Sequence, residues 1–375
     1  MGVRLDNILW LAIKELRSLG ADPVLLFLIG FAFTLSVYAV GTGAKTEVVN
    51  AAVGVVDEDR SELSRRIASA LLEPYFKPAV EIRADEIDPA MDSGRLVFVI
   101  EVPPKFEFDV LAGRQPTIQV DVDATAMVQA GNGVIYVQKI IAQETLSYAT
   151  HAEGTTALPV NFVVRAMFNP NLQSTWFNSL MAVINHITML VIILTGAALI
   201  REREHGTIEH LLVMPVKPAE IMVSKILANG FVVVFAAALS LWFVVQGVLR
   251  VPIAGSITLF VAGTLLYQIS VGALGVLLAT FTSSMGQFGM LVLPVVLVLS
   301  MLSGSLTPLE SMPVWLQRVM QFTPTPHFVS FAQAVLYRGA GFAIVWPDLA
   351  ALAGITIVPF VISLRRFRAA MLTFQ

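Results

Sequence analysis

The sequence predicts an α-helical polytopic membrane protein with six transmembrane helices and an extracytoplasmic α/β domain inserted between helices 1 and 2. Hydrophobic residues make up 56% of the chain and charged residues 14%, against about 25% charged in soluble domains. Long apolar runs recur along the chain, and one mixed, polar region interrupts them. So little polar surface suits lipid better than water as the solvent for most of the chain.

Residues 1–22 predict a helix that lies along the cytoplasmic membrane surface. Its apolar residues recur at helical spacing, with charged residues between them: Leu5, Ile8, Leu9, Ala12, Ile13, Leu16 and Leu19. Residues 23–41 then form an apolar run whose helix would measure about 27 Å, close to one bilayer crossing. A cleaved signal peptide is disfavoured, because the charged stretch is too long and the apolar run exceeds a typical signal core.

Residues 42–175 predict the inserted domain. Short β-rich runs alternate with helical patterns, and turn signals separate them. The predicted strands are residues 52–56, 96–102 and 117–122, and the predicted helices are residues 61–72, 85–93 and 126–149. The domain holds 11 basic and 18 acidic residues, whereas the rest of the chain holds 13 basic and 9 acidic residues.

Five further apolar runs within residues 176–365 predict helices 2 to 6: 177–200, 226–249, 257–281, 288–303 and 349–364. Residues 306–337 are apolar but broken by four prolines, which predicts re-entrant or interfacial helices there. 

Lysine and arginine in the short loops predict the orientation of the chain. Ten lie on the side of the N-terminus: Arg4, Lys14, Arg17, Arg201, Arg203, Lys217, Lys225, Arg365, Arg366 and Arg368. Three lie on the other side: Arg250, Arg318 and Arg338. Both termini, including the tail 366–375, are therefore expected in the cytoplasm and the inserted domain in the periplasm, in a bacterial inner membrane.

The cytoplasmic loop at residues 201–217 has an unusual charge pattern. Arginine and glutamate alternate over its first four residues, and acidic residues at this face are not explained by the positive-inside rule. Thr207 can cap a short helix over residues 208–214, with Glu209 in its first turn and Pro215 after its end. We expect a rigid, charged helix along the cytoplasmic face; a solvated loop is the alternative.

Other chemistry finds little support in the sequence. There is no cysteine, and Gly43-Ala44-Lys45 lacks the glycine that a phosphate-binding loop needs directly before its lysine. His205, Glu209 and His210 depart from the spacing of zinc proteases. We therefore expect no catalytic site, metal, cofactor or nucleic-acid partner for this chain.

Residues 201–215, REREHGTIEHLLVMP, strongly resemble the signature of ABC-2 type transport permeases, the membrane subunits of one class of ATP-driven exporters. The N-terminal interfacial helix, the domain between helices 1 and 2, and Ser303-Gly304 with Pro308 and Pro313 after helix 5 agree with it. The resemblance covers essentially the full chain. It is closest to bacterial inner-membrane permeases of tripartite efflux systems.

The resemblance implies that residues 201–217 form a coupling helix that docks in a groove of a separate cytosolic ABC ATPase, which binds ATP and Mg²⁺. The coupling residues would be Glu202, Arg203, Glu204, Gly206, Thr207, Glu209, Leu212 and Pro215. The other implied partners are a second permease copy or paralogue and membrane lipid, with a periplasmic adaptor and an outer-membrane channel as further candidates.

Polar and methionine side chains inside the predicted spans are candidates for the transport pathway: Asn185, His186, Met189, Met301 and Ser303. Interhelical hydrogen bonds or ordinary core packing would account for them equally well. We expect export of a hydrophobic or amphipathic, drug-like or lipid-like substrate. The alternatives are an ATP-independent channel or carrier, and a membrane-anchored receptor or adaptor that acts through its periplasmic domain. An ion-coupled carrier would need intramembrane carboxylates, and the predicted spans contain none.

Overall fold

A computed structural model of the chain separates into two compact units, Met1–Gly43 with Thr175–Gln375, and Ala44–Ser174. The structure describes residues 4–43, 50–123, 127–153, 173–206, 216–307 and 309–372. In chain order its main elements are α1 (Leu5–Gly20), α2 (Pro23–Gly43), β1 (Val53–Asp57), α3 (Glu62–Ala70), β2 (Val80–Glu81), α4 (Ile87–Asp92), β3 (Phe98–Val102), α5 (Phe106–Leu111), β4 (Gln119–Val122), α6 (Met127–Glu153), α7 (Ser174–Glu204), α8 (Pro218–Val248), α9 (Ile257–Ala279), α10 (Met285–Met301), α11 (Val314–Met320), α12 (Pro324–Leu336) and α13 (Phe342–Leu372).

The first unit is a bundle of apolar helices. Within the described residues, five helices are long and apolar enough to cross a membrane: α2, α7, α8, α9 and α13. This agrees with a polytopic helical membrane protein, but the predicted count of six spans is not confirmed. The remaining candidate, α10, has only 17 residues. The chain turns soon after it at Gly304, whose φ of +88° is a left-handed conformation that glycine adopts readily.

Side-chain caps fix where several of these helices begin. The Asp22 carboxylate accepts hydrogen bonds from the Val24 and Leu25 amides at 3.1 Å, and Pro23 occupies the first position of α2. Ser256 caps α9 and Ser284 caps α10 through their hydroxyl oxygens. The wider π-helical turns of α2 and α8 meet where the Ser240 hydroxyl donates to the Phe33 carbonyl at 2.5 Å.

Helix α1 has the amphipathic character that its sequence predicts. Leu5 and Trp10 are 75% and 70% exposed, whereas Ile8 and Leu19 are buried against the bundle. The proline-broken stretch after α10 contains two short helices, α11 and α12. Trp315 on α11 is also largely exposed. These exposed aromatic side chains are suited to the interface between lipid and water.

The second unit is a four-stranded sheet covered by helices. The strand order is β2-β1-β3-β4, with β1 parallel to β2 and β3, and β3 antiparallel to β4. Helices α3, α5 and α6 contribute to one hydrophobic core of this unit, and α4 contributes to another. The predicted strands 96–102 and 117–122 contain β3 and β4, and the predicted strand 52–56 covers β1 except for its last residue, Asp57. The two-residue strand β2 and the short helix α5 were not predicted. The periplasmic location of this unit stays a prediction.

Glycine allows α7 and α9 to approach closely. A Cβ atom built on Gly275 of α9 would lie 2.5 Å from the backbone oxygen of Ile192 on α7. Backbone has little freedom to move aside in a packed interior, so a side chain at this position forces the helices apart. This contact belongs to packing within one chain.

We therefore expect Gly275→Ala to lower the free energy of unfolding by about 1–3 kcal/mol, the usual cost of overpacking a core. Thermal unfolding in mild detergent would measure it as a lower midpoint. Gly354→Ala on α13 is the matched control, because a Cβ atom there meets nothing within 4 Å. Equal midpoints for the two variants would contradict the close packing of α7 on α9.

Candidate functional site

Four charged side chains from three helices form a cluster at the predicted cytoplasmic end of the bundle. Lys14 and Glu15 lie on α1, Glu202 on the last turn of α7, and Lys225 on α8. The Lys225 Nζ atom lies 2.8 Å from a carboxylate oxygen of each glutamate, and the Lys14 Nζ atom lies 2.8 Å from the other oxygen of Glu202. Lys225 also donates to the backbone oxygen of Ala198 at 3.3 Å. With two cations and two anions, the cluster is electrically balanced.

Because this cluster is buried, it restricts the positions of the three helices that carry it. The Lys225 side chain is only 2% exposed, and those of Glu15 and Glu202 are 11% exposed. Removing an ammonium or carboxylate group from water costs several kcal/mol, which only close opposite charges and hydrogen bonds offset. The three helices are therefore held at the separations that keep these charges paired.

The structure assigns Lys225 a position that the sequence analysis missed. That analysis began the span at Ile226 and counted Lys225 as a loop charge, but α8 begins at Pro218, so Lys225 lies two turns inside the helix. Its neighbours Met222 and Ile226 are buried in the apolar core. A lone lysine among buried apolar residues requires an acidic partner. This rule could have indicated from the sequence that Lys225 belongs to a buried ion pair.

Glu220 caps two helices with one carboxylate. It accepts hydrogen bonds from the Arg4 amide at 2.8 Å and the Asn7 side-chain amide at 3.0 Å, both at the start of α1. It also accepts from the Lys217 amide at 3.0 Å, at the start of its own helix. Glu220 is 1% exposed. The N-termini of α1 and α8 are thus joined at a single buried group.

The other charges in the last turn of α7 bond to different parts of the bundle. Arg201 pairs with Asp22, the N-cap of α2, at 3.1 Å. The Arg203 guanidinium donates to the Thr282 carbonyl in the turn between α9 and α10. The Glu204 carboxylate accepts from the amide of Met285, the first residue of α10, at 2.8 Å. The end of α7 therefore contacts α1, α2, α8, the turn before α10 and the first residue of α10 through charged side chains.

The structure describes four of the eight predicted coupling residues. Glu202, Arg203 and Glu204 belong to α7 and bond within the chain, as given above. Gly206 follows the end of α7 with a φ of +68°, the left-handed conformation common after a helix C-terminus. The other four lie outside the described residues: Thr207, Glu209, Leu212 and Pro215. Docking of these eight residues on an ATPase stays a prediction.

Two of the predicted pathway residues come together in one hydrogen-bond network. The Ser305 hydroxyl oxygen lies 3.0 Å from the Asn185 side-chain oxygen and 2.9 Å from the Ser303 hydroxyl oxygen. Ser303 also donates to the Ser300 carbonyl at 2.9 Å. The network joins the middle of α7 to the turn that follows α10.

The other three predicted pathway residues are separate from this network. The His186 ring lies 2.9 Å from the Ser36 hydroxyl of α2. Met189 is partly buried on α7, and Met301 at the end of α10 is 48% exposed. A role for any of these residues in transport stays a prediction.

Lys225→Met should lower the free energy of unfolding by about 3–5 kcal/mol, because it leaves two buried carboxylates short of a cation. Thermal unfolding in detergent measures the loss. The double variant Lys225→Met with Glu15→Gln is the matched control: it restores charge balance and keeps the pair of Lys14 with Glu202. It should recover part of the lost stability. A wild-type unfolding midpoint for the single variant would contradict the buried cluster.

Comparison with known proteins agrees with this architecture. Residues 23–365 match the model of the ABC-2 family transporter protein. The chain is 51% identical over 364 residues to the inner membrane transport permease YhhJ of Escherichia coli (strain K12), covering 97% of each chain. It is 30% identical over 362 residues to the probable multidrug ABC transporter permease YbhR of the same strain, covering 93% of this chain and 95% of YbhR.

These relatives and the apolar helices indicate an integral inner membrane protein. The matched region includes all five candidate membrane spans, apart from the last few residues of α13, and the whole α/β unit. Family membership implies association with an ABC ATPase. The chain therefore belongs to the ABC-2 family of transport permeases, the membrane subunits of ATP-binding cassette transporters.

Proposed function

We propose that this chain is the permease subunit of an ATP-binding cassette exporter, coupled through residues 201–217 to a separate cytosolic ATPase that hydrolyses ATP with Mg²⁺. One observation carries the proposal. The last turn of α7 comes just before residues 205–217 in the chain, and its four charged side chains connect it to α1, α2, α8, the turn before α10 and α10 itself.

Such connections suit the transmission of force. A flexible loop absorbs a displacement, whereas a helix end held by buried ion pairs passes the displacement to the helices that it contacts. The Lys225 cluster ties α7 to α1 and α8 with little freedom of movement. Movement of a docked ATPase would thus reach several helices together.

The proposed substrate is a hydrophobic or amphipathic molecule, drug-like or lipid-like. The name of the relative YbhR, a probable multidrug ABC transporter permease, supports this class. We place the α/β unit in the periplasm and both termini in the cytoplasm, with an adaptor and an outer-membrane channel as candidate partners of that unit.

A second permease copy is part of the proposal. One stripe of α10 is strongly exposed, at positions three or four residues apart: Met290, Leu293, Leu297 and Met301, with exposed fractions of 81%, 60%, 60% and 48%. The opposite face, with Phe288, Val292 and Val296, is buried in the bundle. A second copy packed on the stripe would enclose a pathway between two α10 helices, close to the network of Asn185 and Ser303.

Purification from native membranes in mild detergent should recover a near-stoichiometric ATPase with the tagged protein, identified by mass spectrometry and ATP hydrolysis. Glu209→Arg should abolish that association and export while membrane insertion is retained, because it reverses a charge in the proposed docking segment. Asp6→Arg is the matched control. It makes the same charge change on the same predicted membrane face, on an exposed residue of α1, and should keep the ATPase.

Two results would count against the exporter. One is wild-type export by Glu209→Arg, because this result would show that residues 201–217 are not the docking segment. The other is a stable wild-type protein that recovers no ATPase and still transports in vesicles without ATP. That second result would favour the ATP-independent carrier.

The absence of cysteine from the chain allows a direct test of the second copy. Leu297→Cys should form disulfide-linked dimers in oxidised native membranes, because two α10 stripes would face each other. Phe235→Cys on α8, which is 56% exposed, is the matched control and should stay monomeric on a non-reducing gel. Equal dimer yields from the two variants would mean random collision in the membrane and would overturn the α10 interface.

A further inference from the structure

Helix α7 contacts α10 at three levels along its length, and the first level is at the predicted cytoplasmic end. There the Glu204 carboxylate accepts a hydrogen bond from the Met285 amide at 2.8 Å. Met285 is the first residue of α10, so the carboxylate lies at the positive end of that helix's dipole. Arg203 donates to the Thr282 carbonyl just before it. Two consecutive residues of α7 thus hold the beginning of α10.

The second level is an apolar contact. Phe288 of α10 is 2% exposed, and its ring lies against the backbone of α7 at Gly196. A Cβ atom at Gly196 would lie 2.2 Å from the ring carbon Cζ of Phe288. The contact is therefore closer than a side chain at position 196 would allow, and it packs the start of α10 tightly against α7.

The third level is at the other end of α10. The hydroxyl oxygen of Ser305, a fully buried residue, lies 3.0 Å from the side-chain oxygen of Asn185 on α7. It also lies 3.0 Å from the Ser300 carbonyl in the last turn of α10. The turn that ends α10 is thus bonded to the middle of α7.

The charged side chains in the last turn of α7 point toward different helices. Glu202 faces α1 and α8 through the two lysines, whereas Arg203 and Glu204 face α10. Consecutive residues of a helix point about 100° apart, so neighbouring positions reach different partners. Glu204 contributes to α10 and not to the lysine cluster.

We infer that α7 and α10 move as one rigid pair during transport, and that Glu204 is the positioning residue that makes α10 follow the end of α7. This inference sets Glu204 apart from the other coupling residues that the resemblance implies, because Glu204 then acts inside the permease and does not contact the ATPase. This inference rests on the proposed function, because it states how movement imposed by an ATPase reaches the exposed stripe of α10.

Glu204→Ala separates this role from docking. It removes both the charge and the hydrogen-bond acceptor at the start of α10, so export from native-membrane vesicles should fall at least tenfold while the purified permease still recovers its ATPase. Ser284→Ala is the matched control: Ser284 also caps α10, by accepting from the Gln287 amide at 3.4 Å, but it makes that bond within the helix. It should keep export within twofold of wild type.

A covalent replacement tests the rigid pair itself. The chain has no cysteine, so Glu204→Cys with Met285→Cys can be joined by a short bis-thiosulfonate cross-linker. Before cross-linking the double variant should show the tenfold loss of export, and cross-linking should restore at least half of wild-type export. Reduction of the cross-link should return the loss.

Several outcomes would overturn this inference and leave the proposed function unaffected. Export that stays blocked after cross-linking shows that α7 and α10 have to separate. Loss of the ATPase from Glu204→Ala shows that the residue contacts the ATPase, and wild-type export by Glu204→Ala shows that it positions nothing. A wild-type permease that recovers no ATPase is different, because it removes the proposed function and the inference with it.

Discussion

The ammonium group of Lys225, held between two carboxylates, is the contact on which the arrangement of the helix ends depends. Lipid-facing helices gain little from burying apolar surface against each other, since lipid is equally apolar, so specific polar contacts have to set their positions. Glu15 and Glu202 can reach this lysine only if α1 lies across the ends of α7 and α8. A buried charge also tolerates no partial separation, because the cost of exposing it to an apolar surrounding is large. The cluster thus selects one arrangement of three helices that hydrophobic packing alone would leave open.

The alternating charges at residues 201–204 have an explanation within the chain. On the last turn of α7 successive side chains point in different directions, and each finds a partner of the appropriate kind. Arg201 meets the acidic cap of α2, Glu202 meets two lysines, and Glu204 meets the positive end of α10. A helix end that joins several helices needs both signs of charge in close succession. Residues 201–204 therefore join helices within the chain, and they also precede the segment that we propose docks on the ATPase.

Much of this structure follows from patterns that are local in the sequence. Long apolar runs locate the spans, and short β-rich runs locate strands β1, β3 and β4. The signal was weaker where few residues carry it, as in the two-residue strand β2. The membrane span of α8 was begun eight residues late, at Ile226, because Lys225 was taken for a loop charge. Pairings such as Lys225 with Glu15 were out of reach for a physical reason. The two residues are 210 positions apart, and no local periodicity encodes which distant charge a buried lysine meets.

The double cap at Glu220 has a consequence for the assembly of the protein. Arg4 and Glu220 are 216 positions apart, and at ordinary rates of synthesis this separation corresponds to ~10–40 s. Helix α1 therefore leaves the ribosome long before its acceptor exists, and the whole α/β unit is made in between. During this interval its first amides can be satisfied only by water and lipid headgroups at the membrane surface. The first helix to be synthesised is thus fixed only when α8 emerges, with α9 to α13 still to follow.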